Sequence, residues 1–185
     1  MATILIIRHS EKPDNSNDGV TEQGKSDPRS LTPRGWQRAG AWTTYFGSLE
    51  GLSKPDRIYA AAAGKEKLAP GEKVGSRSSR PMETVTPLAA KVGLAPDQTF
   101  AKGEERDLAD AIGKLDGTTL VCWQHEAIPQ IAALIKGSND GIPDPWDSKR
   151  FDVVWRLTRR NVTEPWEFDQ ICPCLLADDS AQKLK

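Results

Sequence analysis

Histidine is nearly missing from this chain, with two among 185 residues. Cysteine is scarce as well. Three cysteines, an odd number in a chain this long, argue against a disulfide framework and for a reducing compartment. Neither sign of charge is in excess: 25 Lys and Arg face 26 Asp and Glu. That balance excludes a basic field able to hold nucleic acid and excludes an acidic tail. No apolar run exceeds a few residues, far short of a bilayer span. The first residues reach Arg8 and His9 after four strong apolar side chains, with no basic leader and no long apolar core, so they do not read as a secretory signal. These absences predict one soluble cytoplasmic domain over residues 1–185, with no nucleic-acid or membrane partner and an open oligomeric state.

What the chain does contain is an alternation of short apolar runs and helical patterns. Residues 3–7, 57–60, 118–123 and 152–157 are apolar and bounded by turn signals, as strands covered on both faces should be. A fifth run, 166–171, alternates apolar with polar residues and predicts an edge strand, paired with the fourth through residues 159–165. Thr32 and Pro33 read as the cap and first residue of a helix with Trp36, Ala39, Thr43 and Phe46 on one face. A second helix is expected from Arg80 to Lys91, stopped by Gly93 and kinked or broken at Pro87. Leu108, Ala111, Ile112 and Leu115 share the spacing of a third. A fourth covers 129–136 and stops at Gly137. The expectation is an α/β fold: three α/β/α layers, a mainly parallel central sheet and a C-terminal antiparallel edge hairpin. Residues 13–30 and 64–79 fit no regular element and read as functional lids or mobile loops. Within the second, residues 76–79 with Arg77 read as a linker or a phosphate-grasping loop.

His9 follows the first strand and His125 follows the third. Ligands in open α/β sheets bind outside the carboxyl ends of the strands, so both histidines are expected at one rim. Arg8 adjoins His9, and Arg80 stands at an expected helix N-terminus. A guanidinium fork matches the oxygens of a phosphoryl group, and a helix N-terminus adds oriented N–H groups. Two Arg and two His around one point would form a pocket for a phosphoryl dianion. Cys172-Pro173-Cys174 lacks third and fourth ligands nearby and does not read as a zinc site. Trp123 is a candidate wall of the pocket.

Four segments carry a family resemblance. Ile6-Ile7-Arg8-His9-Ser10-Glu11 resembles the Arg-His-x-Glu motif of the histidine phosphatase superfamily, the phosphoglycerate mutase-like fold. Leu31-Thr32-Pro33-Arg34-Gly35-Trp36-Gln37-Arg38-Ala39 resembles its Leu-Thr-x-x-Gly-x-x-x-Ala segment. Arg80-Pro81-Met82-Glu83-Thr84-Val85-Thr86-Pro87-Leu88-Ala89 resembles its Arg-x-x-x-Thr helix, with Val85 in place of Ala. Val121-Cys122-Trp123-Gln124-His125-Glu126 stands where the strand with the second histidine belongs. The four come in the family's order over residues 3–136.

The resemblance implies a small phosphatase rather than a true mutase, since no Glu-Arg-His-Tyr-Gly segment is present. It implies metal-independent hydrolysis of a phosphomonoester or phosphohistidine, with no cofactor, through a covalent phosphohistidine on His9. Arg8, Arg80 and His125 would hold the phosphoryl oxygens. Glu126 follows the second histidine where small phosphatases and mutases carry Gly, and is similar to the acid of the His-Asp dipeptide in the acid phosphatase branch. The mutase-like branch would instead use Glu104 or Glu105. Both alternatives stay open for the general acid, and Glu11 is expected to orient its neighbours. The partner would be a small phosphorylated substrate or a phosphoprotein. The alternative is a catalytically weak phosphate- or phosphoprotein-binding module on the same fold.

Overall fold

The computed structural model describes residues 1–47, 54–64 and 77–185. The element order is β1 (Ala2–Arg8), α1 (Pro33–Gly47), β2 (Arg57–Ala60), α2 (Arg80–Val92), α3 (Glu105–Ile112), β3 (Gly117–Trp123), α4 (Ile128–Lys136), β4 (Val154–Arg159) and β5 (Glu167–Ile171). The sheet runs β2-β3-β1-β4-β5. β1 and β2 pair parallel with β3; β4 is antiparallel to β1, and β5 to β4. Four strands therefore point the same way and β4 alone is reversed, as expected of a mainly parallel sheet ending in a hairpin.

β1 is central, and its composition explains why. Side chains alternate across a strand, and both of its faces are covered. Ile4 and Ile6 pack with Leu108, Ile112, Ile128 and Ile131 of α3 and α4. Leu5 and Ile7 pack with Trp42, Phe46, Val85 and Leu88 of α1 and α2. Each such fully buried side chain is worth about 1.5–3 kcal/mol, so β1 anchors both layers at once.

Several local expectations shift. The α1 face that is buried is Gly35, Arg38, Ala39, Trp42 and Phe46; Trp36 and Thr43 are only half-buried. Thr32 does cap α1, accepting the Gly35 N–H at 3.1 Å. Pro87 does not break α2, which runs through it, because Val85, Leu88 and Ala89 are buried on either side of it and hold the helix down. Gly93 ends α2 in the left-handed conformation, and Gly137 ends α4 the same way. The fourth strand lies two residues later than expected. On β5 the buried residue is Gln170, whose amide exchanges hydrogen bonds with the backbone of Leu184 at 3.1 and 3.0 Å.

Residues 13–30 are folded rather than lid-like. Val20 bridges Ser26 and bonds Leu31, and Trp36 Nε1 donates to the Val20 carbonyl at 2.8 Å. Glu83 of α2 accepts from Ser30 Oγ and the Leu31 N–H at 2.7 and 2.8 Å. Of the second expected loop, residues 65–76 lie outside the described residues. After β5, residues 172–185 lie back over the sheet edge: Arg150 donates to the Ser180 and Gln182 carbonyls, and Arg34 to that of Ala177.

Candidate functional site

Parallel pairing of β1 with β3 puts Arg8 opposite Trp123, so both chains leave the sheet at the same rim. The His9 N–H donates to the Trp123 carbonyl at 3.0 Å, extending the ladder by one residue. His9 is 4% exposed. Its Nδ1 lies 2.8 Å from the Ser10 carbonyl. A carbonyl only accepts, so Nδ1 carries the proton and Nε2 the lone pair. Burial pushes the His9 pKa down to about 3, against the Ser10 bond, and the charges of Arg8, Arg80 and His125 push it the same way. The ring is neutral at physiological pH, with one nucleophilic nitrogen.

Arg8 is 1% exposed. Its guanidinium carbon sits 3.7 Å from the centroid of the Phe151 ring. Nη1 donates to the carbonyls of Ser148 and Arg150. Burial lowers its pKa to about 10, opposed by Glu126 and Glu11, so it remains charged at neutral pH. Arg80 opens α2, donates from Nη1 to the Pro28 carbonyl at 3.2 Å, and is lowered chiefly by burial. Among the described residues, Arg8 Nε, Arg8 Nη2, Arg80 Nε and His125 Nδ1 are buried without a hydrogen-bond partner.

Electrostatics show that these groups share one neighbourhood. His9 feels Arg8, Arg80 and His125; Arg8 feels Arg80 and Glu126; Arg80 feels Glu126. Three separate parts of the chain supply them: the end of β1, the start of α2 and the turn from β3 into α4. Buried polar groups are costly to leave unpaired. An oxyanion is the partner whose chemistry suits two guanidiniums and an imidazole N–H.

Glu126 lies at the edge of this cluster, half-exposed. One oxygen takes Lys102 Nζ at 2.5 Å; the other is 2.9 Å from His125 Nδ1, at an angle that makes no hydrogen bond. His125 first, then Lys102, hold its carboxyl well below the usual range against partial desolvation. Glu105 is placed differently from the expectation. It is 5% exposed and points toward the core, accepting the Gly103 N–H at 3.0 Å and Trp123 Nε1 at 3.1 Å. The buried stripe of α3 is Glu105, Leu108, Ala109 and Ile112, and Leu115 falls beyond the helix end. That spacing draws Glu105 under the site instead of into it. Glu104 closes its own turn, accepting the Ala101 N–H at 2.9 Å. Trp123 is wholly buried.

Supporting contacts surround these groups. Thr84 accepts the Ser10 N–H at 2.9 Å and donates to the Arg80 carbonyl at 2.8 Å, joining the strand-end loop to α2. Glu11 pairs with Arg38 at 2.8 Å, and Arg38 also grips Asp179 at 2.8 and 3.1 Å. Gly35 lets α1 approach: a Cβ there would meet the Glu11 carbonyl at 2.7 Å. Glu11 thus accepts from an arginine, and the contact of Arg38 with Asp179 was not read from the sequence.

No family model matches the chain. The mitochondrial amino-acid acetyltransferases of Candida dubliniensis and Candida albicans are each 29% identical to it over 85 residues, 40% of this chain. That match spans 15% of the relatives' length, and it carries no part of the functional reading. Solved structures resemble the chain over nearly its whole length. The protein histidine phosphatase SixA, complexed with tungstate, superposes with a TM-score of 0.55 at 13% identity, covering 93% of this chain and 97% of that one. A mycobacterial glucosyl-3-phosphoglycerate phosphatase gives 0.52 at 12% identity, covering 91% and 97%. A phosphoserine phosphatase of Entamoeba histolytica, in complex with phosphoserine, gives 0.50 at 12% identity, covering 91% and 95%. At such identities the likeness establishes a shared fold.

Proposed function

We propose, from the phosphoglycerate mutase-like fold this chain shares with the histidine phosphatase superfamily, that it is a phosphatase. Its substrate would be a phosphomonoester or phosphohistidine, on a small molecule or a protein. The observation that carries this reading is the set of unpartnered buried donors on Arg8, Arg80 and His125 beside a neutral His9.

His9 Nε2 attacks phosphorus. The N–P bond forms as the bond to the leaving atom breaks, and that atom takes the electron pair. The phosphohistidine divides one slow hydrolysis into two easier steps. Arg8 Nε and Nη2, Arg80 Nε and the His125 ring N–H donate to the phosphoryl oxygens as charge redistributes. A single positioned donor of this kind is worth about 3 kcal/mol. The Ser10 carbonyl holds the Nδ1 proton and stabilises the charge the ring acquires. Glu126, the carboxylate beside His125, then takes a proton from water as it attacks the phosphohistidine. Phosphate leaves and His9 regains its lone pair.

A catalytically weak phosphate-binding module is the second reading, and the low-lying carboxyl of Glu126 favours it, because a carboxylate gives no proton to a leaving group. Single-turnover reaction with an aryl phosphate, followed by intact-mass and peptide mass spectrometry, separates the two. Phosphatase activity requires a phosphoryl adduct on His9, inhibition by vanadate and loss of turnover in His9→Asn. Phosphate binding with no adduct and no turnover supports the module instead.

A further inference from the structure

Between α2 and α3 the chain makes a tight turn at Gly103, φ 100°. Glu104 pins it through the Ala101 N–H, and Glu105 pins it through the Gly103 N–H. Lys102 is the residue this turn presents. Its Nζ reaches Glu126 Oε1, while Glu126 Oε2 faces the His125 ring. One carboxylate oxygen is therefore bonded by Lys102, and the other lies 2.9 Å from His125 Nδ1. The other charged groups around Glu126 are Arg8 at the end of β1 and Arg80 at the start of α2. Arg106 of α3 and Asp144 line the groove of about 690 Å³ beside α4 that Glu126 also borders. Cations dominate this set.

We propose that Lys102 is a positioning residue that keeps Glu126 charged into the acid range, where an ordinary glutamate protonates, so that there the site favours phosphoryl groups on weakly basic leaving atoms, such as a phenolic oxygen, over alkyl phosphates. The inference rests on the phosphatase reading. In the first step the P–O bond breaks and its electron pair goes to the leaving oxygen. A phenolate departs with that charge; an alkoxide must take a proton from the protein in the same step. A carboxylate cannot supply one. In the second step the same carboxylate is the form required, since it accepts the proton of the attacking water. The pinned turn thus commits Glu126 to the second step.

Removing a neighbouring cation disfavours the charged carboxyl and raises its pKa. Lys102→Met should therefore raise the Glu126 pKa, while His125 still holds it below an ordinary carboxyl. Hydrolysis of phenyl phosphate and of ethyl phosphate, compared across pH in the wild type, Lys102→Met and Lys102→Arg, tests the proposal. The wild type should strongly prefer the aryl ester. Lys102→Met should raise kcat/KM for the alkyl ester about tenfold on the acid side, with a new ionisation on the acid limb, and Lys102→Arg should keep the wild-type profile. Difference infrared titration should show the Glu126 carboxyl band, assigned by its absence in Glu126→Gln, at higher pH in Lys102→Met than in wild type. An unmoved carboxyl band, or parallel changes for both esters with an unchanged pH profile, would overturn the role of Lys102. Absence of turnover in the wild type would instead bring down the phosphatase reading beneath it, and undiminished turnover in His9→Asn the phosphohistidine route.

Discussion

The N–H of Ser10 donates to Thr84 Oγ1 across 74 positions of sequence, at 2.9 Å. Ser10 is also the residue whose carbonyl holds the His9 ring. Thr84 therefore sets His9 through one intermediate, and sets Arg80 through its own bond to the Arg80 carbonyl. Thr84→Val keeps the shape and removes both bonds. It leaves a buried amide unpaired, which costs about 1–3 kcal/mol. The expected result is a lower urea midpoint and a kcat that falls more than KM rises. Thr84→Ser should recover kcat; if it does not, the hydroxyl is not what positions His9.

Arg8→Lys tests the donor set. Lysine keeps the charge, but it cannot present two coplanar N–H groups while a third binds the Ser148 carbonyl. Turnover of an aryl phosphate should fall by about 10²–10³, the loss typical of one transition-state donor, and vanadate inhibition should weaken in step. Unchanged vanadate inhibition would place the anion elsewhere.

His9 makes stability depend on pH in a defined direction. Its pKa is about 3 in the folded chain, and an unperturbed histidine titrates near 6.5. Between these values the unfolded chain binds a proton that the folded chain does not. Stability is therefore complete above about pH 6.5 and declines as pH falls, with a slope up to about 1.4 kcal/mol per pH unit. Depressed carboxyls such as Asp169 and Asp179 lose stability in the same direction. The informative quantity is the difference in urea stability between wild type and His9→Asn from about pH 4 to 8. It should narrow or reverse toward acid in favour of the variant; a pH-independent difference would mean that His9 can be protonated in place.

Asp179 ties residues 172–185 to the loop after β1 through Arg38 and Glu11. All but a few per cent of the Asp179 and Arg38 side chains is buried. Asp179→Ala leaves Arg38 with Glu11 alone, and breaking such a pair costs about 3 kcal/mol. Thermal melting should report that loss, and activity should fall with it, since Glu11 follows Ser10 directly. A melting temperature within error of wild type would show that this segment does not brace the site.

Patterns with short range survived translation into structure. Apolar runs bounded by turn residues became strands, Thr32 capped its helix and Gly93 and Gly137 ended theirs, because each depends on a few neighbouring residues. The shared rim of His9 and His125 was also readable, since strand direction alone decides it. The third helix was placed, but its inner face was misjudged. A 3.6-residue period says that one stripe is buried; it does not say that a carboxylate, Glu105, opens it. Only docking against Trp123 and Gly103 made that burial possible.

The linear order of residues was enough to settle the layered sheet and to bring the two imidazoles and Arg8 to one end of it, because backbone geometry and apolar periodicity act locally. The folded packing alone settled which carboxylate lies beside His125, which lysine pairs with it, and how Phe151, Thr84 and Asp179 contact Arg8, the Arg80 backbone and Arg38. Those contacts join positions far apart in the chain, and they depend on side-chain reach and burial that no sequence pattern encodes.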